Sequence, residues 1–182
     1  MNSTGAAESK AAGVRGFWAR LCGGPGLLAL SVVLLDQLTK WLTVWKWTRP
    51  FGEGDEVWVI PGFFRLVHWR NLGAAWSILE GRMGLLTVIS AVAAVLLAVF
   101  FRRLTEGKAR YAIPCGCLLG GVVGNLIDRA FYREGVIDFL RFEFGSYGFP
   151  AFNVADSAIT CSVIFWVVCA FYTERQERKA KD

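Results

Sequence analysis

Residues 83–101 read MGLLTVISAVAAVLLAVFF, nineteen residues without a charge, with Arg82 before them and Arg102-Arg103 after. At 1.5 Å per residue such a helix nearly crosses the ~30 Å of bilayer hydrocarbon. This stretch predicts a membrane-spanning helix. Working outward, three more apolar stretches follow the same reading. One covers about residues 26–47, interrupted by Asp36, Lys40 and Lys46. Another covers about 111–127 and ends at Asp128-Arg129. The last runs from near Phe152 to Thr173, with Asp156 in its first turns. Of the 182 residues, 54% are AVILMFWYC and 19% are charged, against about 25% charged in soluble domains. Disorder and an ordinary soluble domain are both excluded. The expected fold class is an all-α membrane protein, four transmembrane helices with a small periplasmic β-sheet cap.

The net charge of +5 is a matter of position. Eleven of the 20 basic residues fall in three segments: Lys10, Arg15 and Arg20; Arg102, Arg103, Lys108 and Arg110; and Arg175, Arg178, Lys179 and Lys181. Basic loops stay in the cytoplasm. Both termini are therefore expected there, with an even number of spans. No basic stripe with interleaved aromatics is present, so no nucleic-acid partner is expected. The expected division is a polar cytoplasmic tail over 1–24, a membrane domain over 25–174 and a cytoplasmic tail over 175–182. The apolar run follows Leu21-Cys22 rather than preceding it, which argues against a lipidation box and a cleaved signal peptide.

Two segments face the other side, about 48–82 and 132–151. Val57–Ile60, Pro61-Gly62 and Phe63–Trp69 read as a hairpin or small sheet. Trp58, Trp69 and Trp76 suit a membrane interface. In the second segment Phe142 and Phe144 alternate with Arg141 and Glu143, ahead of a Gly-Ser-Tyr-Gly turn, which is again strand-like. Gly116, Gly120 and Gly124 lie four apart on one helical face, a ridge that lets a neighbouring helix approach closely.

This topology gathers three carboxylates at the outer leaflet: Asp128, Asp138 and Asp156. Ionisable groups at membrane depth are costly and are kept for function or paired. Two carboxylates in a partly dry site share a proton, and such a pair can act as base on a water and as acid toward an amide. Each Asp can instead serve a helix-end ion pair, Asp128 most readily, as an anchor for the adjacent Arg129 or for a neighbouring loop. Asp36 and Lys40, four apart with the acid first, are placed for an ion pair on one helix face. Lys40 as the base of a Ser/Lys protease lacks a Ser in a Gly-flanked turn. Asn71 and Asn153 can orient a carboxylate or a substrate carbonyl, or cap turns. His68, the single histidine, is expected at the surface of the cap. With one His, and five Cys that form no CxxC, no metal site or other cofactor is expected.

Five co-linear motifs carry a resemblance: Asp36-Gln37-Leu38-Thr39-Lys40, Asn71-Leu72-Gly73-Ala74-Ala75-Trp76-Ser77, the segment Gly120 to Arg129, Val136-Ile137-Asp138-Phe139, and the segment Phe152 to Ile159. In this order, over about 30–160, the chain resembles the lipoprotein signal peptidases, the type II signal peptidases of bacteria. The resemblance implies an aspartyl endopeptidase of the inner membrane. It would remove the signal peptide from diacylglyceryl-modified prolipoproteins, cutting before the lipidated Cys. It assigns the catalytic pair to Asp138 and Asp156, with Asp36, Lys40, Asn71, Asn125, Asp128, Arg129 and Asn153 in substrate-binding or supporting roles. The implied partners are lipidated prolipoproteins and membrane lipid, with the protein as a monomer. Trp76, Gly135 and Cys161 depart from the family pattern. A proton-coupled transporter and a non-catalytic assembly factor are the competing readings.

Overall fold

The computed structural model describes residues 23–47, 56–74, 78–106, 108–132 and 134–179. The N-terminal tail through Cys22, and Trp76, lie outside the described residues. Among the described residues, four helices are long and apolar enough to cross a membrane: α1 Gly24–Lys46, α2 Met83–Thr105, α3 Ala109–Phe131 and α4 Val154–Lys179. They lie where the apolar stretches predict them. The last differs in reach, since α4 runs on to Lys179 through most of the basic segment expected as a separate tail.

The surface of this bundle identifies its solvent. Within α2 only Leu86 and Thr105 are buried, while Leu85, Val88, Ile89, Val92, Val95, Leu96 and Val99 are exposed. In water this apolar face would be an aggregation site; in hydrocarbon it is ordinary lipid contact. The exposed faces of α1 and α4 are equally apolar.

Helix α3 is the exception. It has the most buried positions of the four, and α1, α2 and α4 all pack against it. The glycine ridge makes this possible. A Cβ at Gly120 would stand 2.6 Å from the Ala29 carbonyl oxygen of α1, and one at Gly124 would stand 2.7 Å from Asp36 Oδ2. Gly121, one position round, meets α4, where a Cβ would lie 2.6 Å from the Ala155 carbonyl oxygen. Lacking hydrophobic drive within lipid, the helices associate through such close backbone approach. Gly120→Val should therefore lower the thermal midpoint and folded yield in detergent, at a cost of about 1–3 kcal/mol or more. Gly84→Ala, where nothing lies within 4 Å, should be neutral or better in the same assay.

The two remaining segments build one antiparallel sheet in the order β1-β2-β3-β4: Val57–Ile60, Phe64–Asn71, Val136–Phe144 and Tyr147–Gly148. β1 and β2 connect α1 to α2, and β3 and β4 connect α3 to α4. Connectivity thus puts the whole sheet at one end of the bundle, where β3 touches α1 and α3 and β2 touches α1. The hairpin turns at Pro61-Gly62, as expected, with Gly62 at φ +74°. β2 and β3 pair with Trp69 opposite Asp138 and Asn71 opposite Val136.

Candidate active site

Three helices and two strands, α1, α3, α4, β2 and β3, meet at the sheet end of the bundle, and each brings polar side chains into one connected network. Helix α1 supplies Asp36 and Lys40. Their ion pair measures 2.8 Å, and the same ammonium lies 2.9 Å from Asp128 Oδ2 on α3. Its third contact is Asn125 Oδ1 at 3.1 Å. An ammonium has three protons, and all three are engaged. Lys40 is 1% exposed, and Asp36 and Asp128 are 0% exposed. The three contacts of this ammonium are Asp36, Asp128 and Asn125, with no serine among them.

Asp36 also reaches the start of α4, where its Oδ1 accepts the Ala155 amide at 2.9 Å. A carboxylate there satisfies a free N–H group and the positive end of the helix. Gln37, which the sequence reading quotes in a motif without a role, donates to Asp36, to Asp128 and to the Gly124 carbonyl. Asp128 has a further duty, accepting the Ile137 amide at 3.2 Å and so fixing the start of β3. Of the two anchoring roles open to it, on Arg129 or on a neighbouring loop, Asp128 fills the second. Arg129 instead donates to Ser90 Oγ at 3.3 Å and to the Gly73 carbonyl at 3.4 Å. Neighbours on a helix point about 100° apart, so the two side chains serve different partners.

Asn153 and Asp156 cap α4 reciprocally. Asn153 Oδ1 accepts the Asp156 amide at 2.9 Å, and Asp156 Oδ2 accepts the Asn153 amide at 3.2 Å. This N-cap with an acid three positions on satisfies two otherwise unpaired donors. It also fixes the Asp156 rotamer, and Asn125 donates to Asp156 Oδ1 at 2.7 Å. The other amide end of Asn153 faces β3, donating to Asp138 Oδ1 at 2.7 Å. Asn71, across the sheet on β2, donates to Asp138 Oδ2 at 3.1 Å. Both asparagines thus orient a carboxylate, and Asn153 caps a helix as well.

The two carboxylates differ in surroundings. Asp138 is 1% exposed, whereas Asp156 is half-buried. Burial, followed by the nearby Asp156 charge, pushes the Asp138 carboxyl well above the usual carboxylate range, against the opposing pull of Asn71, Lys40 and Asn153. A buried acid biased toward protonation near a second, more accessible carboxylate can serve as acid while its partner serves as base.

All nine residues singled out in the sequence fall in or against this network. His68 differs from expectation. It is buried rather than at the surface, with Nδ1 2.9 Å from the Trp47 carbonyl oxygen at the end of α1. The cause is a bulge in β2 between Leu66 and Trp69, which breaks the in-out alternation so that Val67 and His68 are both buried.

The family described as Signal peptidase (SPase) II matches residues 28–172. The lipoprotein signal peptidase of Listeria monocytogenes serotype 4b (strain CLIP80459) is 39% identical over 155 residues, covering 85% of this chain and 97% of that protein. The lipoprotein signal peptidase of Geobacillus kaustophilus (strain HTA426) is 38% identical over 151 residues, covering 83% and 95%. A solved bacterial membrane enzyme superposes with a TM-score of 0.75 at 33% identity, over 88% of this chain and 94% of the other. A second superposes at 0.69 and 34% identity, over 82% and 93%.

Proposed function

The chain belongs to the signal peptidase II family, and on that premise we propose that it is an aspartyl endopeptidase that cleaves diacylglyceryl-modified prolipoproteins just before the lipidated Cys. The family makes it a peptidase and gives signal peptide removal from prolipoproteins as its work. The catalytic type and the residues are our reading. The observation that carries it is the pair Asp138 and Asp156, bridged through one asparagine. One member is buried and biased toward protonation; the other is reachable from outside.

In this reading the pair holds one proton, and burial favours it on Asp138. A water oxygen bonds to the scissile carbonyl carbon while the ionised Asp156 takes a water proton. Asp138 gives its proton to the carbonyl oxygen. The resulting gem-diol collapses: a hydroxyl proton returns to Asp138, Asp156 protonates the leaving nitrogen, and the C–N bond breaks. The products are the signal peptide carboxyl group and the α-amino group of the lipidated Cys, and the pair is back in its starting state. Asn71, Asn125 and Asn153 aim the two carboxylates. Asp36, Lys40 and Asp128 lock α1, α3, α4 and β3 together around them, and Arg129 ties α3 to α2 and the β2–α2 loop.

The site's depth suits this substrate. A diacylated signal peptide lies in the bilayer with its scissile bond near one surface. The carboxylates sit between the helix ends and the sheet, with exposed Trp58, Trp69, Phe144 and Phe149 on the cap. The basic residues at the opposite helix ends, Arg102, Arg103, Lys108, Arg110, Arg175, Arg178 and Lys179, support a reading with that end in the cytoplasm and the site on the periplasmic side of the inner membrane. The protein works as a monomer in this reading.

Purified protein in detergent should cleave a diacylglyceryl-modified prolipoprotein and release a product whose new amino terminus is the lipidated Cys. A chelator should leave the rate unchanged. Equal cleavage of the unlipidated precursor, or a product starting elsewhere, would overturn the proposal.

A further inference from the structure

The turn from α3 into β3 ends at Gly135, which has φ +101°. This is a backbone conformation that residues with a Cβ rarely adopt. The space there is also closed. A Cβ at 135 would stand 2.6 Å from the Asn71 carbonyl oxygen, 2.9 Å from its carbonyl carbon and 3.2 Å from Leu72 Cδ2. Two of those three atoms are backbone, which cannot swing aside as a side chain would.

Asn71 is fixed from several directions at this point. Its backbone pairs with Val136, the residue after Gly135. Its side-chain oxygen accepts the Gly73 amide at 2.9 Å, and its side-chain nitrogen donates to Asp138 Oδ2 at 3.1 Å. A push on the Asn71 carbonyl therefore moves the amide that holds Asp138. From this contact we propose that Gly135 is a positioning residue: its missing side chain lets the α3–β3 turn close against Asn71, and so seats the Asn71 amide on Asp138. The inference deepens, and its activity arm rests on, the reading of Asp138 as half of the catalytic pair. Gly135 touches neither carboxylate; it acts through Asn71.

The test uses the full chain in detergent or nanodiscs, with ¹³C-labelled aspartate carboxyls and the Asp138 signal identified by its loss in Asp138→Asn. The Asn71 hydrogen bond favours the ionised form of Asp138. Losing it moves the titration upward by about one pH unit, the scale of one hydrogen bond to a charged group. Gly135→Ala should give that upward shift, Asn71→Ala should give it too, and the double variant should go no further than the larger single shift. Gly62→Ala strains another positive-φ glycine of the sheet, with nothing within 4 Å of its Cβ, and should leave the Asp138 titration in place. Turnover of lipidated prolipoprotein should fall about tenfold in Gly135→Ala and in Asn71→Ala, with the double variant no worse than the poorer single.

An unmoved Asp138 titration in Gly135→Ala, or shifts that add in the double variant, would overturn the proposal. If Gly135→Ala does not fold, an extra glycine inserted between Glu134 and Gly135 slackens the turn without adding a Cβ. It should produce the same upward shift, and an unmoved titration would again overturn the proposal. Failure of the wild-type protein to cleave the lipidated substrate would sink the peptidase reading, while the titration still decides the role of Gly135.

Discussion

Asp138→Asn and Asp156→Asn should each fold, insert into membranes and bind a substrate-like inhibitor, while turnover of a lipidated prolipoprotein falls about 10³-fold or more. Asparagine keeps the size and polarity of each side chain but cannot exchange the proton that the pair passes between water, carbonyl and leaving nitrogen. Because the two residues act as a unit, the double variant should be little worse than either single one. Serine and thiol reagents should have no direct effect. The pH dependence has a defined sign. Turnover needs one proton on the pair, so it declines as pH rises through the upper of the two apparent pKa values. Stability moves the same way. The folded Asp138 carboxyl is harder to ionise than in the unfolded chain, so its contribution is fully present below about pH 4, the unfolded value, and is lost as pH rises through the higher folded value. Asp138→Asn should lack that loss of stability on raising the pH from about 4. A wild-type decline that persists unchanged in Asp138→Asn would point to another group.

The second large effect is on folding. Lys40→Ala leaves Asp36 and Asp128, both fully buried, without the cation that lies 2.8 and 2.9 Å from them. Removing one partner of a buried ion pair costs about 3–5 kcal/mol, because the remaining charge stays out of water. Lys40→Ala should therefore lose folded yield and thermal midpoint together with activity. Adding Asp36→Asn should recover part of the midpoint, since one uncompensated charge is then gone. Normal folding and full activity in Lys40→Ala would show that the clamp does not hold the bundle.

Local readings of the sequence survive where the physics is local. Residues 83–101 form a lipid-facing helix because nothing in them needs water. The Asp36–Lys40 pair is a matter of one helical turn, and the glycine ridge on α3 shows as a spacing of four. The hairpin about Pro61-Gly62 shows in its turn residues. The long-range parts were not legible in the same way. Lys40 meets Asn125 and Asp128 only because the ridge lets α1 and α3 come close. Gln37 joins Asp36 to Asp128 across 91 residues of chain, a contact that the order of residues does not display. His68, expected at the surface of the cap, is buried because the register shifts between Leu66 and Trp69 and turns Val67 and His68 inward together, a feature that the order of residues does not display. For Asp128 the sequence leaves two anchors open, Arg129 or a neighbouring loop; the fold decides for the segment at Ile137, because adjacent helical side chains diverge. The choice of two carboxylates among three came from the family resemblance; composition and topology left all three open.

Those three carboxylates give the most direct test. Turnover of a diacylglyceryl prolipoprotein by Asp128→Asn, Asp138→Asn and Asp156→Asn should be measured side by side, at equal concentrations of folded protein. The expected result is two well-folded variants with negligible turnover, Asp138→Asn and Asp156→Asn. Asp128→Asn should be marked by a lowered thermal midpoint, because it loses charge from the Lys40 clamp and weakens its hold on Ile137. Near wild-type turnover in Asp138→Asn, with Asp128→Asn fully folded but inactive, would contradict the account and move the catalytic pair to Asp128 and Asp156.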